Sequence, residues 1–239
     1  MMKHKTLLNH WLLLAFVCFY LPLSHTMAQE KNPDWARLSR YEKENADLPP
    51  PAKGEKRVVF MGNSITEGWV RAHPDFFKSH GYIGRGISGQ TSYQFIVRFR
   101  PDVINLLPSL VVINAATNDI AENTGVYNED TTFGNIISMA ELAKANKIKV
   151  ILTTTLPAAA FRWNPAITDA SQKIKSLNKR VEAYAKANKI PYVDYYSHLL
   201  AADGESLDAK YTNDGVHPTP AGYDVMEALI QKEIEKILK

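Results

Sequence analysis

The chain has 239 residues, 45% of them hydrophobic, with 28 Lys and Arg against 25 Asp and Glu. A net charge of +3 is too small to mark a nucleic-acid or membrane-surface partner. The one cysteine, Cys18, excludes an internal disulfide and a thiolate metal site.

The first 28 residues read as a secretory signal peptide. Lys3 and Lys5 make a basic start, Trp11 to Leu23 is apolar, and Thr26-Met27-Ala28 supplies the small residues of a cleavage site. Thirteen apolar residues are too few to span a bilayer. Phe16 and Val17 stand before Cys18 where a lipid-modified cysteine wants small residues, so no stable membrane anchor is expected. Cleavage after Ala28 leaves 211 residues starting at Gln29, with 26 basic against 25 acidic, a length that suits one domain with a single core. No Asn-X-Ser/Thr acceptor is present, which favours a secreted or periplasmic bacterial protein. Nothing in the pattern sets an oligomeric state.

Residues 29–56, with Pro49-Pro50-Pro51 and many charges, have little apolar periodicity and read as an N-terminal arm lying over the domain of residues 57–239. From Val58 onward apolar strands alternate with helix-length amphipathic stretches, the pattern of a parallel sheet covered on both faces. Strands are expected at 58–62, 83–87, 110–115, 148–154 and 191–194. Helices are expected at 66–71, 92–106, 132–146, 168–188 and 219–238, with Pro101 breaking or kinking the second.

The apolar run Val58-Val59-Phe60-Met61 ends in Gly62-Asn63-Ser64, which puts a hydroxyl at the carboxyl edge of a sheet, where open α/β folds carry their chemistry. Serine is a poor nucleophile without a base within reach. Asp214-Gly215-Val216-His217-Pro218 supplies one: an Asp three residues before a His can hold the imidazole in one tautomer while its other nitrogen takes the serine proton. Together they point to a hydrolase. The other histidines of the mature chain, His73, His80 and His198, have no such partner and read as surface or capping residues. No His and carboxylate spacing marks a metal site, and Gly84-Arg85-Gly86-Ile87-Ser88-Gly89 lacks the spacing and downstream acid of a dinucleotide site, so neither metal nor cofactor is expected.

Four separated blocks, in order, resemble the SGNH (GDSL-type) esterases and acylhydrolases: Gly62-Asn63-Ser64-Ile65-Thr66, Gly86-Ile87-Ser88-Gly89-Gln90-Thr91-Ser92, Ala116-Thr117-Asn118-Asp119, and Asp214-Gly215-Val216-His217-Pro218. The resemblance covers nearly all of residues 57–239 and implies a three-layer α/β/α, flavodoxin-like fold with a five-stranded parallel sheet. It implies Ser64, Asp214 and His217 as the catalytic triad, with the Ser64 and Gly89 backbone N–H groups and the Asn118 amide as the oxyanion hole. Gly89 is read as bringing its N–H close because it has no side chain. Two positions depart from the family pattern: Asn63 replaces the usual Asp, and Ala116 the usual Gly. Both bear on the electrostatics and backbone packing beside the site.

Thr66 stands where the sharp elbow of the α/β-hydrolase fold, Gly-X-Ser-X-Gly, needs its second glycine, which disfavours that fold. Asp119 and Asp224 are rival acids for His217; Asp119 is read as bracing its own loop and Asp224 as part of the last helix. Trp69, Arg85, Phe161, Arg162, Trp163 and Tyr211 fall in or near loops bordering the pocket, without an assigned role. The expected activity is hydrolysis of a small-molecule or carbohydrate ester, a short O-acyl group such as O-acetyl, because no long apolar lid suits a lipid tail. A lysophospholipase- or thioesterase-type acylhydrolase is the alternative, and a non-catalytic carbohydrate-binding module on the same fold a second.

Overall fold

β-Branched and aromatic residues dominate five short stretches that pair in parallel: β1 (Val58–Gly62), β2 (Tyr82–Gly86), β3 (Leu110–Ile113), β4 (Lys149–Thr153) and β5 (Tyr192–Val193). The protein is described here by a computed structural model covering residues 34–239; the signal peptide and its cleavage point lie outside the described residues. The sheet order is β2-β1-β3-β4-β5, the flavodoxin-like arrangement, with its topological switch between β1 and β3.

Strand residues alternate between two cores. Val59, Met61, Val111 and Ile113 point to one face and pack under α4 (Ser92–Asp102), α6 (Glu129–Ala145) and α7 (Ala170–Ala187). Val58, Phe60, Leu110 and Val112 point to the other, under α2 (Ser64–Ala72), α3 (Pro74–His80) and α9 (Pro220–Ile237). Phe60 is the hub of this second layer, with Trp69, Phe77 and Tyr82 rings at 5.2–5.6 Å, contacts worth about 0.5–1.5 kcal/mol each beyond their area. Among the described residues no helix is long and apolar enough to cross a membrane.

The third, fourth and fifth strands are shorter than expected, and the third strand and the divided second helix have local causes. β3 stops at Ile113 because Asn114 turns its amide onto the Thr153 hydroxyl and Thr154 carbonyl, and Ala116 then takes a left-handed φ of 84°. α4 ends one residue after Pro101, and the chain re-forms as a 3-10 turn at Ile104–Leu106. Four short helices were not expected: α1 (Glu42–Asp47), α3, α5 (Thr117–Ile120) and α8 (Tyr196–Leu199). Of these only α3 carries a legible punctuation, Pro74 at its first position and Gly81 just past its end.

Residues 34–56 fasten onto the β2 and α4 side. Tyr41 donates its hydroxyl to the Gly86 carbonyl, Asn45 bridges Asp102 and Arg85, and the Ala36 and Trp35 carbonyls accept from Gln90 and Gln94. Beneath them lies Arg98, fully buried. Its guanidinium donates to the Gly62 and Arg85 carbonyls at 2.8 Å, to Gln90 Oε1 and to Asp102 Oδ2 at 3.0 Å. One side chain thus ties the carboxyl ends of β1 and β2 to the following loop and to its own helix.

Candidate active site

Ser64 is the first residue of α2, and the turn that places it is set by its neighbours. Asn63 caps the helix, its Oδ1 accepting the Ile65 N–H at 3.0 Å, which is the bond an aspartate would also make here. The Asn63 Nδ2, fully buried, finds no hydrogen-bond partner among the described residues. The helix crosses the end of β2 so closely that a Cβ on Gly86 would lie 2.2 Å from the Glu67 nitrogen and 2.7 Å from the Asn63 carbonyl oxygen. Only glycine fits.

From the other end of the chain, the loop before α9 delivers His217 and Asp214. Ser64 Oγ lies 2.8 Å from His217 Nε2, and His217 Nδ1 lies 2.6 Å from Asp214 Oδ2. Asp214 Oδ1 accepts the Val216 and His217 backbone N–H groups at 2.9 and 2.8 Å. Thr212 locks the loop by donating to the His217 carbonyl and accepting the Gly215 N–H. Partial burial pushes the Asp214 pKa up, but these N–H groups and the imidazole outweigh it and hold the carboxyl at about 2. The aspartate is therefore an anion at any working pH, and Nδ1 carries the proton that faces it.

The Asn118 amide, buried at the start of α5, donates to the Gln90 carbonyl at 2.9 Å, binding the asparagine and glycine blocks to each other. An amide has two N–H groups, so one remains for another acceptor. A Cβ on Gly89 would meet no protein atom within 4 Å, but its φ of 80° is one that L side chains rarely adopt. Gly89 is held from outside by Asn123, whose amide donates to its carbonyl at 3.1 Å and whose Oδ1 accepts Trp163 Nε1 at 2.8 Å. Trp163, 46% exposed, sets its ring 6.4 Å from that of His217. Trp69, Arg85 and Phe161, also placed near the pocket by sequence, are buried in the core instead.

Neither rival acid reaches His217. Asp119 does more than brace its own loop: its carboxylate accepts the Ser92 N–H and hydroxyl at the start of α4 and the Thr132 hydroxyl of α6, and burial raises its pKa in spite of these bonds. Asp224 lies on α9 near His73, whose Nδ1 is 2.7 Å from Glu227 Oε1, so His73 is a half-buried, partnered residue rather than a free surface one. His73, Asp224 and Glu227 bring donor atoms within 4.8 Å of one another, a grouping hidden in the sequence by the distance between α2 and α9. Its Glu227 Oε1 is already taken by His73 and Trp69 Nε1.

A cleft of about 500 Å³ opens at Ser64 and His217, lined also by Gly68 and Arg71 of α2, by Ser88, and by Tyr223 of α9. Arg71 belongs to no motif block. Its spacing was nonetheless legible: Ser64, Gly68 and Arg71 fall at i, i+4 and i+7 on one helix face.

A model of the GDSL-like Lipase/Acylhydrolase family matches residues 60–225. The chain belongs to the GDSL-like lipase/acylhydrolase family. It is an ester hydrolase. Among solved structures, a candidate acylhydrolase of Bacteroides fragilis NCTC 9343 is 73% identical, with a TM-score of 0.86 over 86% of this chain and 99% of that one. A GDSL-like lipase of Bacteroides thetaiotaomicron VPI-5482 is 71% identical, with a TM-score of 0.83 over 84% and 98%. More distant relatives include an uncharacterized lipoprotein of Bacillus subtilis, 25% identical over 75% of this chain and 89% of its own length. An acetylxylan esterase of Xylanibacter ruminicola is 24% identical over 79% of this chain but only 45% of its own length. Against the family pattern, Asn63 keeps the helix cap, whereas Ala116 carries a left-handed φ that its usual glycine would take without strain.

Proposed function

We propose that this GDSL-like hydrolase removes a short O-acyl group, such as O-acetyl, from a carbohydrate outside the cytoplasm, through an acyl-serine intermediate. The observation that carries the reading is the unbroken hydrogen-bonded row from Ser64 Oγ through His217 to Asp214 at the edge of the cleft. Ser64 Oγ attacks the ester carbonyl as its proton passes to His217 Nε2. The Ser64 and Gly89 backbone N–H groups and the Asn118 amide take the oxyanion, usually the largest single catalytic effect. The carbon–oxygen bond to the alcohol breaks, and the alcohol leaves with the proton from Nε2. Water then attacks the acyl-serine by the same route, releasing the acid and restoring Ser64, while Asp214 stabilises the imidazolium in both steps.

The short-acyl assignment is supported by the sequence, which carries no long apolar lid suited to a lipid tail. The distant acetylxylan esterase relative agrees with it. Export rests on the basic, apolar and small-residue leader described above, and the lipoprotein relative is consistent with an extracytoplasmic setting. The test is a panel of p-nitrophenyl esters from acetate to palmitate beside O-acetylated oligosaccharides, with Ser64→Ala as control. Turnover should be fastest for acetate and vanish in the variant. A maximum at palmitate would favour the lysophospholipase-type reading, and carbohydrate binding without turnover the binding module.

A further inference from the structure

Five of the nine arginines, Arg40, Arg57, Arg85, Arg98 and Arg180, each meet a carboxylate. Arg71 does not, and it stands beside the site. It is exposed in the wall of the Ser64–His217 cleft and makes no hydrogen bond or ion pair with any described residue. The acid one turn back, Glu67, feels its charge but gives its Oε2 to the Ser88 N–H and hydroxyl and faces Arg40 with Oε1. No carboxylate lines the cleft. An arginine left unpaired in the wall of a cleft whose lining holds no carboxylate is a positively charged fork whose natural complement is a carboxylate, phosphate or sulfate.

Its distance from the chemistry is set by the helix. Seven residues separate Arg71 from Ser64, a rise of roughly 10 Å along α2, and the position between them on that face is Gly68. A Cβ there would lie 2.7 Å from the Tyr223 hydroxyl, so the glycine lets Tyr223 pack onto the helix between nucleophile and guanidinium. The span of roughly 10 Å along the helix is that of about one to two sugar rings. We infer that Arg71 is a specificity-determining residue that recognises an anionic group on the substrate, roughly one or two sugar rings from the scissile ester. The preferred substrate is thus an O-acylated acidic sugar, not a neutral one. This rests on the esterase reading above and narrows its substrate class.

The experiment compares kcat/KM on O-acetylated galacturonate oligosaccharides, on their uronamide counterparts, and on an O-acetylated sugar phosphate, for the wild type, Arg71→Gln, Arg71→Glu and Arg71→Lys. The wild type should prefer the anionic substrates, and added salt should erode that preference. The anionic-to-neutral ratio should fall roughly 10- to 100-fold in Arg71→Gln, the scale of one charge-assisted hydrogen-bond pair. It should fall further in Arg71→Glu and recover partly in Arg71→Lys. Whichever of the uronate and the phosphate loses more identifies the anion. A ratio unmoved in both Arg71→Gln and Arg71→Glu, or insensitive to salt in the wild type, overturns the inference while leaving the esterase intact. If the wild type cleaves none of these substrates nor any simple ester, the esterase reading fails and this inference with it.

Discussion

Asp214 meets His217 twice: Oδ2 faces the ring nitrogen Nδ1 at 2.6 Å, and Oδ1 accepts the same residue's backbone N–H at 2.8 Å. The carboxylate therefore fixes both the tautomer of the ring and the loop from which the ring projects. Asp214→Asn should lower kcat by up to about ten-thousandfold with the fold retained, because an amide can present a donor to Nδ1 and favour the wrong tautomer. Steady-state kinetics beside circular dichroism check it; a variant within tenfold of wild type would remove Asp214 from the triad.

The pH profile follows from the same carboxyl. With its pKa at about 2, Asp214 stays ionised throughout the working range, so its own titration should leave no limb in the kcat/KM profile there. The depressed carboxyl also contributes stability that is complete above its ordinary value of 3.8 and is lost as pH falls toward about 2. Thermal melts between pH 5 and 2 should therefore decline less steeply in Asp214→Asn than in the wild type, and parallel declines would contradict the argument.

Asn118→Ala should cost roughly a hundredfold or more in kcat, the scale of one oxyanion donor. It also frees the Gln90 carbonyl, so a modest loss of melting temperature is expected. A kcat near that of the wild type, or an unfolded variant, would mean that Asn118 only holds the glycine block.

Arg98→Met should destabilise the protein by about 3–5 kcal/mol, because Asp102 is then left as a buried charge without its partner. Replacing both, Arg98→Met with Asp102→Leu, should restore much of that loss. Urea unfolding of the single and double variants decides it, and additive losses would show that the pair is not the source.

Ala116 holds φ at 84° immediately before the helix that carries Asn118. A left-handed alanine costs about 1–2 kcal/mol, which Ala116→Gly relieves while loosening the unfolded chain and removing a buried methyl group. The glycine variant should lie within about 1 kcal/mol of wild type, whereas Ala116→Val, β-branched and buried at the same φ, should lose about 2 kcal/mol or more. Equal melting temperatures for the two variants would contradict the strain.

The sheet was legible in the sequence because each buried strand is a short apolar run, and the blocks around Ser64, Gly89, Asn118 and His217 were legible because each sits at a strand end or helix start with fixed local spacing. Contacts between distant segments were not. Arg98 looks like an ordinary helix arginine until β1, β2 and α4 are assembled around it, and Glu227 shows no tie to His73 before α9 packs on α2. Only the folded chain separates Trp163, beside His217, from Trp69, buried under Phe60.

The four bonds of the Arg98 guanidinium have a consequence for how the molecule comes apart. They close only when β1, β2, the Gln90 turn and α4 are all in place, and two of those segments lead directly into the site. Peeling away β1, β2 or the Gln90 turn leaves the buried guanidinium short of an acceptor while its pair with Asp102 stays within α4, so each partial opening in this region carries a penalty of its own. The amide protons of the nucleophile loop should accordingly be among the slowest in the protein to exchange with solvent. On heating, activity and fold should vanish in one transition, with no inactive, still-folded species in between.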